Sequence, residues 1–241
     1  MTTDLTRWTA GLAGDRDPAQ PLLTLLTRDS RVELSGATVA NWVAKNANLL
    51  VDGLGAPASV GLLLPLHWHL PCLLLAGVTA GATVVVADGP QHLAGCDVAF
   101  TTADQAGAAL DAGVDEVMVV STHPLGAAGP PVPPPLGDHA RDVPGHGDRW
   151  TGPSATSWDI TAGGRPVAPS DTGTGPQDRV LVTGGVTDVA PLAAVLGSLR
   201  DGAGLLLSPR AEQVDLAAAV GVERLTACIG TDVAGLRRLD A

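Results

Sequence analysis

Residues 60–87 read VGLLLPLHWHLPCLLLAGVTAGATVVVA, and these 28 positions contain no Asp, Glu, Lys or Arg. A run this apolar fits two incompatible folds: a membrane span, which needs about 20 apolar residues, or a buried strand–helix–strand unit. The interruptions favour the second. Pro65, His67, His69 and Pro71 break the run near its start, and Gly77 and Gly81 punctuate its second half. What remains is a strand (SVGLLLP), a helix (WHLPCLLLAGVTA) and a strand (ATVVVA). Strands that are continuously apolar, rather than alternating, belong to parallel sheets covered on both faces. The block is therefore expected at the centre of a sheet, not as a membrane anchor, with Leu63 and Val85 inaccessible.

The same grammar extends in both directions. Upstream, PLLTLLT (21–27) and RVELS (31–35) flank Asp29 and Ser30 and predict a short hairpin. Ser35 can then cap a helix that places Val39, Trp42, Val43, Leu49 and Leu50 on one face. Downstream, strands are expected at 59–64, 82–87, 97–101 and 115–120. A second series follows: RVLVT (179–183), a helix over 188–200, GLLLS (204–208), a helix over 210–220 and RLTACI (224–229). Short apolar strands alternating with helices imply a three-layer α/β/α sandwich with a mostly parallel sheet.

The chain thus divides into a first βα series (1–121), a Pro-rich linker (122–156) and a second βα series (157–241) that packs with the first as one domain. Six prolines lie between Pro124 and Pro135. Such a segment reads as a semi-rigid polyproline II spacer, dispensable for folding. His123, His139 and His146, with Asp138, Asp142 and Asp148, are then solvated linker residues.

Composition narrows the function classes. Of 241 residues, 45% are hydrophobic and the formal net charge is -11; mean hydropathy is +0.24 and the pI is about 4.7. This composition folds, and its negative charge argues against nucleic acid or an anionic membrane as partner. Lys45 is the only lysine, against thirteen arginines. Asp4 and Arg7 stand where a signal peptide needs an apolar core, so a cytoplasmic location is expected. Cys72, Cys96 and Cys228 are far apart with no CxxC, which predicts buried thiols rather than disulfides or a zinc site.

At this resolution the order of residues resembles a known family. VELSGATVANWVAKNANLLVDGLGAPASVGLLLP is similar to the amino-terminal segment of the adenylate-forming, AMP-binding superfamily, which includes acyl-CoA synthetases and luciferases. Leu34-Ser35, Asn48-Leu49-Leu50, Gly53-Leu54 and Ser59-Val60 sit at the family's marked places. LLLAGVTAGATVVVAD resembles its next helix and strand. QDRVLVTGGVTDVAPLAAVLGSLRDGAGLLLSP and ERLTACIG resemble later elements, so the likeness covers about residues 21–121 and 176–230.

The family's signature is a Ser/Thr/Gly-rich loop ending in Pro-Lys-Gly, which embraces the ATP phosphates through N–H groups, hydroxyls and a cation. SWDITAGGRPVAPSDTGTG (157–175) occupies its place. The resemblance aligns Thr161, Gly163, Gly164 and Arg165 with the loop, Val167 with its lysine and Ala168 with its last glycine. TGTGPQ aligns as well, with Gln177 for lysine, but DRVL follows without the family's intervening helix. Thr187-Asp188 replaces the family's aromatic-His pair at the acyl pocket. Ala241 comes before the family's magnesium-binding Thr-Glu motif, ribose-binding Asp, hinge and lysine-bearing C-terminal domain.

Other constellations are weaker. Thr183-Gly184-Gly185 lacks the later glycines of a dinucleotide loop and reads as a turn. His67 and His69, at i and i+2, have no carboxylate or thiol nearby and read as polar helix-start residues. No G-x-S-x-G occurs. The expectation is an acyl-CoA-synthetase-like chain without catalytic residues, metal or required cofactor, leaving weak ATP or AMP binding open. It would serve as a binding or regulatory module with a protein partner. The alternatives are a minimal adenylate-forming enzyme completed by a partner protein, and a purely structural subunit.

Overall fold

The computed structural model describes residues 17–153 and 157–240. Asp4, Arg7 and Ala241 lie outside them. The chain enters on the expected hairpin, β1 (Pro21–Leu26) and β2 (Arg31–Ser35). It is antiparallel, with Leu25 opposite Val32, and is closed by Thr27 N–H on the Ser30 carbonyl at 2.9 Å. Ser35 then caps helix α1 (Gly36–Asn48) by accepting from the Thr38 N–H at 3.2 Å, so one side chain ends the strand and starts the helix. A π turn over Leu49–Gly53 buries Leu49 and Leu50.

The apolar run folds as β3 (Ser59–Leu63), α2 (His69–Ala80) and β4 (Thr83–Val86). Gly81 ends α2 at φ 83°, in the left-handed conformation that glycine adopts without steric cost. After it come β5 (Val98–Thr101), α3 (Ala106–Asp111), β6 (Glu116–Val119), β7 (Gly137–Asp138) and α4 (His139–Asp142). The last part contributes β8 (Ile160–Ala162), β9 (Arg165–Pro166), β10 (Arg179–Thr183), α5 (Val189–Arg200) and β11 (Gly204–Ser208). α6 (Leu216–Val222), β12 (Ala227–Ile229) and β13 (Arg237–Arg238) complete it. The helix expected over 210–220 is displaced because Asp215 takes the cap position, accepting from the Ala218 N–H at 3.0 Å.

The α/β class and the mostly parallel pairing stand, but the strands form two sheets. One has the order β13-β12-β10-β11-β1-β2 and the other β7-β6-β5-β3-β4-β8-β9. Every neighbouring pair is parallel except β1–β2 and β8–β9. Each sheet draws strands from both series: β1 pairs with β11, Leu23 opposite Leu205, and β8 pairs with β4, Val84 opposite Ile160. α1, α2 and α5 share one apolar core with both sheets. α3 covers the outer face of the seven-stranded sheet and α6 that of the six-stranded sheet. Each sheet is thus the middle of an α/β/α sandwich, and the central helices serve both. α2 is buried from His69 to Thr79, as a helix apolar on all sides must be. No described helix is long and apolar enough to cross a membrane.

The block 60–87 does hold the sheet centre, since β3 is fourth of seven. Inaccessibility of Leu63 and Val85 is not borne out, because both are only half-buried. β4 alternates: Val84 and Val86 face α2, where an added Cβ on Gly77 would meet Val84 Cγ2 at 2.6 Å. Val85 points to the outer face, beyond the cover of α3 on β5 and β6. Val84→Ala is therefore expected to cost about 2 kcal/mol, two buried methyl groups plus a residual cavity, and Val85→Ala less than about 1 kcal/mol. Urea melts of the two variants check this; equal costs would mean that the outer face of β4 is covered.

Residues 121–136 contain no helix or strand, and Pro130–Pro131 and Pro133–Pro135 are exposed. The rest of the Pro-rich segment does not behave as a spacer. β7 pairs with β6, Val119 opposite Asp138, and the next residues carry His139 and Val143, both 0% exposed, into the interior. His139 is not a solvated linker histidine. The cause is tertiary: Lys45 Nζ donates to the carbonyls of Pro144 and His146, and Asn48 Nδ2 donates to those of Gly147 and Arg149, pulling the segment onto α1.

Candidate functional site

Thr161, Gly163, Gly164 and Arg165 lie together in a β-hairpin. β8 and β9 are joined by a two-residue turn in which Gly163 has φ 55° and Gly164 φ 71°, with Ala162 opposite Arg165. Positive φ at both central residues is the backbone that lets a tight hairpin follow strand twist. It explains both glycines without a ligand, since a Cβ on either would meet nothing within 4 Å. Arg165 is exposed. Val167, aligned with the family's lysine, is 2% exposed and its N–H donates to the Ile160 carbonyl at 2.8 Å. That position points into the core, not into a loop.

The second glycine cluster is stitched to its own neighbourhood. Gly173 N–H donates to Asp171 Oδ1 at 3.2 Å and Gly175 N–H to Asp178 Oδ2 at 2.8 Å. Arg237 Nη1 donates to the Thr172 carbonyl at 2.7 Å. Carboxylates therefore hold the N–H groups that a phosphate cradle would offer. Thr183 ends β10 and Gly184 follows at φ 70°; Thr183 Oγ1 donates to the Ile229 carbonyl and accepts from the Thr231 N–H at 2.7 Å.

The concave surface lies at the carboxyl ends of β3 to β6, where open α/β sheets present their ligand crevices. A cleft of about 500 Å³ is bounded by Leu63, Pro65, Asp88, Gly89 and Thr187. A second of about 450 Å³ is walled by Ser121, Asp138 and the Pro130–Pro133 stretch. Thr102, Asp104 and Thr122 line both. Hydrogen bonds, the Thr102 hydroxyl foremost, hold the Asp104 carboxyl below its ordinary value. Asp138 is paired with Arg141 Nε at 2.9 Å. Neither cleft has an Arg or Lys in its lining. Thr102, Asp104 and Thr122 escaped the sequence reading; their signal was position alone, just past apolar strands.

Behind the second cleft lies a buried histidine cluster. His67, His69 and His139 are 6%, 1% and 0% exposed. His69 lies 5.1 Å from His67 and 5.2 Å from His139 between ring centroids. Trp42, Trp68 and Phe100 pack around them. His67 and His69 do stand at the start of α2, but they are interior groups. Asn46 Nδ2 donates to the Trp42 carbonyl, so Asn46 Oδ1 is the acceptor that fixes His139 as an Nε2–H donor at 2.7 Å. Burial pulls His67 and His139 each down to about 4, and His69 well below the ordinary imidazole value. Among the described residues no group of three or more His, Cys, Asp or Glu is arranged to hold a metal ion.

No family model matches the chain. It is 40% identical over 143 residues to a protein of Mycobacterium tuberculosis whose name gives a family label and no activity, an overlap of 55% of this chain and 56% of that one. An acyl-CoA synthetase of Brucella canis superposes with a TM-score of 0.72 at 18% identity, over 94% of this chain and 50% of the other. A benzoate CoA ligase from Burkholderia xenovorans superposes at 0.68 and 15% identity, over 94% and 49%. The chain has the α/β fold of the N-terminal domains of acyl-CoA synthetases and spans about half the length of the proteins it matches.

Proposed function

We propose that this chain is a non-adenylating relative of the acyl-CoA synthetases, a cytoplasmic binding or regulatory module that acts with a protein partner. The observation that carries the reading is Val167, a buried core residue where the resemblance places the phosphate-loop lysine. Two others support it: the Gly173 and Gly175 N–H groups are held by carboxylates, and the strand-end clefts have no basic lining residue. Adenylyl transfer needs positioned donors and cations against developing phosphate charge, and loss of one such donor costs about 10²–10³ in rate. The buried thiols of Cys72, Cys96 and Cys228 are compatible with a reducing compartment.

The purified chain is therefore expected to catalyse no acid-dependent ATP–pyrophosphate exchange above a protein-free blank, across fatty and aromatic acids. ATP or AMP at millimolar concentration should shift the melting temperature little. Exchange by the chain alone would overturn the reading. Exchange that appears only with a co-purified protein would favour the second reading, a minimal adenylating enzyme completed by a partner.

A further inference from the structure

The buried histidines and the segment that covers them point to a device beyond the fold's inherited chemistry. Residues 122–146 form an arm across the carboxyl edge of the seven-stranded sheet. Its Pro130–Pro133 stretch and Asp138 wall the 450 Å³ cleft. Its two ends meet the histidine cluster. At the first, Trp68 Nε1 donates to the Pro124 carbonyl at 2.8 Å, and Gly126 lies so close that an added Cβ would stand 3.3 Å from His69 Nε2. At the second, His139 inserts between Asn46, Phe100 and His69.

The polar atoms of this cluster are incompletely satisfied. Both ring nitrogens of His69 and Nδ1 of His139 are buried without a hydrogen-bond partner, an arrangement that holds only while the rings are neutral. The charged and titratable groups on the surrounding elements do not change this. Lys45 of α1 is tied to the carbonyls of Pro144 and His146. Asp138 of the arm is tied to Arg141, Asp142 is exposed and His146 is half-buried. The His123 backbone favours a protonated His67 by a hydrogen bond, and the His123 ring opposes it as a like charge. β5 contributes Phe100, and among the described residues no carboxylate pairs with any of the three rings.

We propose that His139 and its contact with His69 form an acid-sensitive latch: protonation loosens residues 123–142 on the sheet edge and raises the fraction in which the cleft is open, while the two sheets stay folded. Lys45 and Asn48 keep 144–149 attached, so the arm swings from that tether. A ring released to solvent regains its ordinary affinity for protons, so the open form binds more protons than the closed one. Closure is therefore fully favourable above about pH 6.5 and weakens about tenfold per pH unit as His139 is released, down to about pH 4.

Amide hydrogen exchange between pH 7 and pH 4.5, corrected for intrinsic rates, tests this on the whole chain. The opening constant of amides 137–143 is expected to rise about 50- to 100-fold, with Val60–Leu62 unchanged. His139→Gln keeps a neutral donor for Asn46 and should abolish most of that rise. Asn46→Asp supplies a counter-charge to the imidazolium and should abolish it as well, which a merely structural role would not predict. The proposal is overturned if the arm and Val60–Leu62 lose protection together at one midpoint, or if the arm does not respond. It is equally overturned if the acid response survives in Asn46→Asp.

Discussion

Replacing residues 124–148 with a short Gly/Ser linker is expected to cost about 5 kcal/mol or more and to broaden or abolish cooperative unfolding. Composition alone argues the opposite, because shortening a loop changes closure entropy only by about (3/2)RT ln of the length ratio. The structure outweighs that term. The deletion removes Val143 and His139, both 0% exposed, and uncovers Trp68, 2% exposed, and Phe100, 0% exposed. Each large apolar side chain returned to water costs about 1.5–3 kcal/mol. It also strips the Trp68 indole N–H and Lys45 of their carbonyl partners and leaves Asn48 only the Arg149 carbonyl. The sum is comparable to the whole stability of an ordinary domain, about 5–15 kcal/mol. A confined change makes the control: residues 127–131 are exposed, and five Gly/Ser residues in their place should cost less than about 1 kcal/mol. Thermal and urea melts of both variants decide the matter. Equal, small losses would mean that the segment is a spacer after all.

What could be read from the sequence was what is locally encoded. The β1–β2 hairpin, the Ser35 cap and the boundaries of β3, β4, β10 and β11 follow from periodicity and from single capping or turn residues, whose effects stay within a few positions. Sheet membership does not. That β1 pairs with β11 rather than with β3 rests on the match of Leu23 with Leu205 across the fold, and no local signal distinguishes the two. The same holds for His139: its polar acceptor, Asn46, is 93 residues away, so proline density around it misled. At the glycine clusters the sequence suggests a degenerate phosphate loop, and the two-residue hairpin turn at Gly163-Gly164 follows only from the pairing of β8 with β9. The use of the Gly173 and Gly175 N–H groups by Asp171 and Asp178 emerges only from the folded backbone.

Val167→Lys, the substitution that would return the family's lysine to its aligned place, is expected to destabilise the protein by about 3–5 kcal/mol and to confer no adenylation. Val167 is 2% exposed within the main apolar core. A lysine there must either bury an ammonium without a counter-ion or lose its proton, and both routes cost several kcal/mol at neutral pH. The pH dependence separates this from a steric effect. The folded-state pKa of such a lysine falls below its unfolded value of about 10.4, so the unfolded chain binds more protons and stability rises with pH. The deficit should shrink by about 1.4 kcal/mol per unit between pH 7 and pH 9 if the ammonium is the cause, whereas overpacking would leave it flat. Val167→Met, which adds length without charge, should cost less than about 1.5 kcal/mol. Arg165→Ala on the exposed hairpin should stay within about 0.5 kcal/mol. Pyrophosphate exchange measured on the same preparations completes the test. A stable, active Val167→Lys protein would mean that the hairpin is an intact phosphate loop short of one cation. A destabilised, inactive protein whose deficit falls with rising pH would mean that the core occupies the position the resemblance aligns with the family's lysine, and that a lysine there does not confer the chemistry.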